Sequence, residues 1–179
     1  MSEVFKNTVA DRQTDLRRPL KELRLGSYEG TKDRSDRERI FRMATELLTP
    51  VVNKVLEDFN QLMLAGSGDI ADTGLLYSED STLYREWRLS WPGQRGAQRR
   101  VDGPGVVEPV IVRAHFPPGW THGHLAGSMV GNWPLQILDE SDANRQGWII
   151  WAIAEAEFHQ RIFESTHPWE CISKPVGTA

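Results

Sequence analysis

The chain has 179 residues, of which 39% are hydrophobic and 26% are charged, and its formal net charge at pH 7 is -4. This length suits one domain with a full core, and the composition is typical of a globular protein. The acidic balance argues against nucleic acid as the main partner, because phosphate binding needs a basic surface. No run is apolar enough for a membrane span or a signal peptide, so we expect no membrane association and a cytoplasmic location.

Residues 1–35 are polar and charged, and we expect them to form an N-terminal arm beside a single α+β domain over residues 36–179. Within the arm, residues 16–23 have the spacing of a short helix, which Gly26 would end. The arm either docks on the body or on a neighbouring subunit, or it forms a disordered tail.

The clearest helical pattern covers residues 36–65, where apolar residues recur every three or four positions. Ser35 and Glu38 match a capping box, in which side chains satisfy the free amide groups at a helix start. Pro50 interrupts the pattern because it lacks an amide hydrogen. The segment is therefore either one kinked helix or two helices that meet at Thr49.

The middle of the chain predicts two strands separated by loops. Residues 67–81 look like a loop, whereas residues 82–91 are rich in strand-favouring side chains. Residues 93–105 hold several glycines and arginines and predict a mobile loop. The next strand covers residues 108–116, and His115 lies on its more polar face.

Two further segments complete the predicted fold. Residues 120–138 are apolar and punctuated by glycine, which favours sheet over helix. In residues 142–164 the first half is typical of a buried strand, while the second half is rich in helix formers. We favour a long curved strand there, because residues 139–147 look like the loop of a hairpin.

The residues best suited to chemistry lie between positions 115 and 124. Histidine serves both metal ligation and proton transfer near neutral pH, and this segment holds His115, His122 and His124. Two histidines two positions apart on an extended segment point the same way and can bind one metal ion. His159 or His115 would complete such a site. The sequence thus predicts a divalent metal, Fe, Mn or Zn, held by His122, His124 and His159.

The run from Val112 to His124 resembles the first metal motif of cupins, in which a strand leads through Pro-Gly to His-x-His. The resemblance implies a barrel whose metal is held by His122 and His124, with His159 in the place of a later histidine. Ser128 stands where that motif has a glutamate, and the Pro-Gly that precedes the later histidine is missing here.

A second interpretation needs no metal. An N-terminal helix, a curved antiparallel sheet and a long final hairpin are similar in their order to the NTF2-like fold, whose cone-shaped pocket serves lyases and isomerases. In such a pocket His115, His159 or Glu157 would act as the general base, because burial among aromatic rings shifts the pKa of such groups. Trp120, Trp133 and Tyr84 would line its walls.

The sequence therefore predicts an α+β fold with N-terminal helices packed on a curved antiparallel sheet or barrel, either cupin-like or NTF2-like. Three functions stay open. The first is an oxygenase or lyase with a histidine-centred, metal-dependent pocket for a hydrophobic or aromatic metabolite. The second is a metal-free NTF2-like lyase or isomerase. The third is a non-catalytic binding or assembly subunit, and we expect the protein to be a homo-oligomer.

Overall fold

The computed structural model describes residues 9–99 and 105–172. These residues form six helices and five strands. The strands make one antiparallel sheet in which each strand pairs with the next along the chain, from β1 to β5, without closing into a barrel. The predicted α+β class with an antiparallel sheet is confirmed.

The helices are α1 (Val9–Leu25), α2 (Arg34–Leu64), α3 (Pro92–Gly96), α4 (Glu140–Arg145), α5 (Gly147–Glu164) and α6 (Pro168–Ile172). The strands are β1 (Asp69–Tyr77), β2 (Leu83–Ser90), β3 (Val110–Phe116), β4 (His124–Ala126) and β5 (Trp133–Pro134). Helices α2 and α5 pack on each other and on the sheet, and the hydrophobic core lies between them and its inner face. We call the opposite side of the sheet the outer face.

Helix α2 is a single helix that contains Pro50, which decides between the two predicted alternatives. Its stripe of buried residues continues on both sides of the proline. Burial of these side chains stabilises the helix by more than the one hydrogen bond lost at Pro50 costs. The start differs from the predicted capping box. Asp33 is the N-cap, and its carboxylate accepts hydrogen bonds from the amides of Ser35 and Asp36.

Residues 22–35 of the predicted arm are docked on the domain, with Glu22 bound to His122 and Gln136. Tyr28 is fully buried in the core, and its hydroxyl donates to the carbonyl oxygen of Leu135 at 2.7 Å. The helix expected at residues 16–23 lies within α1, which ends before Gly26, a residue with φ of 61°. Residues 1–8 lie outside the described residues.

The prediction of a loop over residues 67–81 is wrong, because most of this segment is strand β1. This strand pairs with β2 along its length, apart from a bulge between Asp72 and Leu75. Gly74 lies in that bulge with φ of 65°, a conformation that favours glycine. The strand is at the edge of the sheet and mostly exposed, so the sequence carries little apolar alternation to reveal it.

The prediction of a long curved strand in residues 142–164 is also wrong, because these residues belong to helices α4 and α5. The supposed hairpin loop at residues 139–147 includes α4. Apolar residues surround the first turns of α5, which hides the helical period. The buried stripe then continues through Glu157 and Arg161, whose charges pair with each other.

The remaining predicted elements agree better with the structure. Strands β2 and β3 confirm the strands expected at residues 82–91 and 108–116. Residues 120–138 supply the short strands β4 and β5, as the sheet prediction requires. The predicted mobile loop begins with helix α3, and residues 100–104 within it lie outside the described residues.

Candidate functional site

Strand pairing arranges side chains of the outer face in two rows, and the first row consists of predicted site residues. In the first row Tyr84 lies opposite His115, and His115 lies opposite His124. In the second row Glu86 lies opposite Arg113. Directly opposite residues of antiparallel strands project to the same face with Cβ atoms about 5 Å apart. The rows are separated by two residues, or about 6.6 Å along the strands.

These rows form the floor of an open groove with a volume of about 670 Å³. The loop between β1 and β2, with Glu79 and Asp80, stands at one end, and Arg88 lies at the other. Tyr84 and His115 lie between these ends. Small-molecule sites commonly enclose about 300 to 1,000 Å³, so the groove has the size of a metabolite site.

His115 is the titratable group in the middle of the groove. Its Nδ1 atom is buried and has no hydrogen-bond partner in the described part of the chain, so a ligand reaches the ring through Nε2. Burial and, second, the positive charge of Arg113 lower the pKa of this imidazole. The ring is therefore neutral at pH 7 and can accept a proton.

Trp120 covers the neighbouring pair of His115 and His124. The centroids of the two imidazole rings are 6.1 Å apart, and the edge-on contact of Trp120 with His124 has a centroid distance of 4.7 Å. The turn at residues 117–119 reverses the chain and brings Trp120 back over the strands. Burial, followed by the charges of two neighbouring histidines, lowers the pKa of His124 to about 4.

Glu86 is only 2% exposed and binds two arginines of the groove, a set that we call the Glu86 cluster. Arg88 donates from Nε at 2.9 Å and from Nη2 at 2.5 Å to Oε2. Arg113 donates from Nε at 2.6 Å to Oε1, which its Nη2 also contacts. The two arginine side chains remain 47% and 42% exposed. Two positive charges and one negative charge leave this cluster with a net charge of +1.

The predicted metal ligands lie in different surroundings. His122 is fully buried, its Nε2 lies 3.1 Å from Oε2 of Glu22, and its ring packs on Tyr28 with centroids 4.9 Å apart. His124 contacts the outer-face rings instead, and His159 is exposed on α5. Within the residues that the structure describes, no group of three or more His, Cys, Asp or Glu is placed to hold a metal ion.

His122 and His124 have different neighbours because residues 121 and 122 form a bend that precedes β4. The alternation of side chains along a strand therefore does not apply to this pair. The glycine between them has a packing role. A Cβ atom at Gly123 would lie 2.3 Å from Cδ2 of Phe41 on α2, so only glycine fits there.

His122 joins the N-terminal arm to the domain through Glu22. Burial raises the pKa of Glu22, but hydrogen bonds from Gln136, from the amide of Glu29 and from His122 outweigh it, so this pKa is lowered. Burial also lowers the pKa of His122, although the hydrogen bond and charge of Glu22 act in the opposite direction. The arm is thus held by a neutral histidine and a charged carboxylate.

Glu157, the second predicted catalytic residue, lies in an enclosed set of hydrogen bonds. It is fully buried, and its carboxylate accepts from the Ser128 hydroxyl at 2.6 Å, the Met129 amide at 2.8 Å and Arg161 at 2.8 Å. Arg161 also donates to the carbonyl oxygen of Pro109 at 3.2 Å. Both oxygens of Glu157 therefore have donors, and this carboxylate ties α5 to the residues after β4.

The predicted pocket residues divide between the two faces of the sheet. Tyr84 lines the groove, and Trp120 lies beside it over the histidines. Trp133 lies opposite Leu125, a fully buried core residue, and so projects toward the inner face. It packs against the core rather than on the side of His124.

Sequence reasoning did not identify the Glu86 cluster. Alternation along β2 places Tyr84, Glu86 and Arg88 on one face, and that pattern was present in the sequence. The sequence does not reveal that this face of β2 pairs with Arg113 and His115 on β3, because that pairing depends on strand register.

Comparison with known proteins finds no counterpart of this chain: no family model, no curated protein and no solved structure matches it. Among the described helices, none combines the length and the apolar character that crossing a membrane requires. The function therefore has to be inferred from the groove itself.

Proposed function

We propose that the protein binds a small organic molecule in the outer-face groove and acts on it by acid–base chemistry, as a lyase or isomerase does. The observation that carries this proposal is the pairing of Tyr84 with His115 on the groove floor. A phenol and a neutral imidazole stand side by side within a space of metabolite size.

The roles of the two residues follow from their chemistry. Nε2 of His115 accepts a proton from a carbon atom of the ligand, and the Tyr84 hydroxyl donates a hydrogen bond to a ligand oxygen. Negative charge that develops on that oxygen is stabilised by the net positive Glu86 cluster next to it. The imidazolium then returns the proton to another ligand carbon in an isomerase, or to a departing group in a lyase.

Three predictions from the sequence stay separate hypotheses. A dependence on Fe, Mn or Zn is checked by metal analysis of the purified protein. Membership in a cupin-like or NTF2-like family concerns the fold, and the roles proposed for Tyr84 and His115 do not depend on it. Assembly into a homo-oligomer, with or without catalysis, is checked by the mass of the protein in solution.

Proton exchange tests the proposal without knowledge of the complete reaction. The protein is incubated in D2O with a panel of small carbonyl compounds and carboxylic acids, and loss of C–H signals is followed by NMR. We expect exchange with the wild-type protein and a loss of about 100-fold or more in His115→Gln, the usual size of a general-base effect. His159→Gln is the matched control, because that histidine is exposed on α5 outside the groove.

Equal exchange rates in wild type and His115→Gln would show that His115 is not the base. Wild-type protein that exchanges no compound of the panel would contradict the proposal as a whole. A parallel loss in His159→Gln would mean that the effect of replacing a histidine is not specific to the groove.

A further inference from the structure

We infer that the groove selects an aromatic carboxylate whose ring and acid group are separated by two or three carbon atoms. This inference rests on the proposed function and names the ligand class of the same site. It follows from the Glu86 cluster, the row of rings beside it and the distance between the two.

The Glu86 cluster is built to receive an anion. Each guanidinium uses Nε and Nη2 to bind the buried carboxylate, and the Nη1 groups of Arg88 and Arg113 have no partner in the described part of the chain. A guanidinium that is already held in place loses less entropy when it binds a ligand. Its planar donor pairs match the geometry of a carboxylate.

The net charge favours a carboxylate over a phosphate ester. One positive charge in excess neutralises a monoanion, whereas a phosphate monoester carries between one and two negative charges at pH 7. A phosphate would therefore leave negative charge without compensation in this part of the groove.

The row next to the cluster supplies flat aromatic rings. Tyr84 and His115 lie side by side on the groove floor, and Trp120 packs against His115 with ring centroids 5.9 Å apart. Trp120 is 40% exposed, so part of its ring faces solvent beside the groove. Aromatic rings of ligands pack favourably against such surfaces.

The distance between row and cluster sets the length of the ligand. The two rows are about 6.6 Å apart, which is two residues along a strand. An extended 3-arylpropanoate places its ring and carboxylate at a similar separation, whereas the carboxylate of benzoate is bonded directly to the ring and is too close. The carbons between ring and acid then pass Nε2 of His115.

The charge of the groove also orients the ligand. Glu79 and Asp80 stand in the loop at the end away from Arg88. Hydrogen bonds from Ser78 and Thr82 lower the pKa of Asp80, so its carboxylate is ionised at neutral pH. Since this end repels an anion, the acid group of the ligand points toward the arginines.

Binding of 3-phenylpropanoate to the protein, followed by titration calorimetry, tests the inference. We expect it to bind at least tenfold more tightly than 3-phenylpropanamide, which lacks the charge, than benzoate, which is too short, and than 2-phenylethyl phosphate. Arg113→Gln and Arg88→Gln should each weaken binding of the propanoate about tenfold and leave binding of the amide unchanged. Arg95→Gln is the control, because this exposed arginine pairs with Asp69 outside the groove.

Equal affinities for the acid and the amide would overturn the inference, as would tighter binding of the phosphate ester. Equal losses in Arg113→Gln and Arg95→Gln would overturn it as well. Arg88→Gln provides a second test of the cluster if Arg113→Gln does not fold. Binding of the propanoate by a protein that exchanges no compound of the carbonyl and carboxylic acid panel would leave the ligand class standing and refute the acid–base proposal. If the protein exchanges neutral compounds and does not bind the acid more tightly than the amide, the acid–base proposal stands and the ligand class is refuted.

Discussion

Glu86 and Glu157 are both buried carboxylates bound by arginine, yet they belong to regions with opposite character. The side chain of Arg161, which binds Glu157, is 3% exposed, and nothing outside the protein can reach it. Arg88 and Arg113, which bind Glu86, remain 47% and 42% exposed. The same type of ion pair therefore holds the fold together in one region and is open to a ligand in the other. The two regions differ in the solvent exposure of the arginine side chains.

The largest effect on stability is expected at the enclosed pair. Glu157→Ala leaves Arg161 as a buried charge without its main partner, which costs about 3 to 5 kcal/mol of unfolding free energy. Glu155→Ala, on the exposed side of the same helix, should change it by less than about 0.5 kcal/mol. Urea unfolding of both variants measures this difference. Similar losses in the two variants would show that the enclosed region is not special.

A smaller loss of stability is expected at Gly123, where the histidine segment meets the core. Gly123→Ala puts a methyl group against the ring of Phe41 and should cost about 1 to 3 kcal/mol, the usual range for overpacking. Gly131→Ala is the control, because open space surrounds that position. If both variants unfold at the same urea concentration, close packing against Phe41 does not require glycine at position 123.

Stability should also depend on pH through the three histidines between residues 115 and 124. The pKa values of His115, His122 and His124 are lowered in the folded protein, with His124 at about 4. The unfolded chain, with histidine pKa values near 6.5, therefore binds protons more readily. The contribution of these groups is complete above about pH 6.5 and is lost as the pH falls through their folded pKa values, of which that of His124 is about 4.

Urea unfolding at pH 7.5, 6 and 5 checks this dependence. We expect the free energy of unfolding to fall over this interval in the wild type and to fall less in His124→Gln. An identical pH dependence in His124→Gln would contradict the assignment to His124. His159→Gln serves as the control, since it removes an exposed histidine.

The smallest effect on stability is expected at the open pair. Arg88→Gln leaves Glu86 bound to Arg113, and the lost ion pair is partly solvated. Such pairs contribute up to about 1 kcal/mol, so we expect the urea midpoint to change little. A loss of more than about 2 kcal/mol would mean that the Glu86 cluster is structural, like the cluster around Glu157.

The same contrast explains which parts of the fold the sequence predicts. The pattern of α2 and the alternation of β2 and β3 are local, and these elements lie near their predicted positions. Helix α5 was predicted wrongly because its buried stripe includes Glu157 and Arg161, which a hydrophobicity pattern counts as exposed. Strand β1 was missed because an exposed edge strand needs little alternation.

The candidate site was predictable in part. Two candidates from the sequence lie in the groove: His115, chosen because histidine transfers protons near neutral pH, and Tyr84, chosen as an aromatic wall. The Glu86 cluster was not predictable, because it depends on the register between β2 and β3. His122 was misleading, since its contact with Glu22 joins residues 100 positions apart.

Backbone amide NMR spectra recorded during addition of 3-phenylpropanoate show where this ligand binds without any substitution in the protein. We predict that the largest shift changes fall on β2 and β3, at Tyr84, Glu86, Arg113 and His115, with a smaller change at Trp120. If the largest changes fall on α2 and α5, around the apolar depression between Pro50 and Trp151, or if the spectrum does not change, the groove is not the binding site of this ligand.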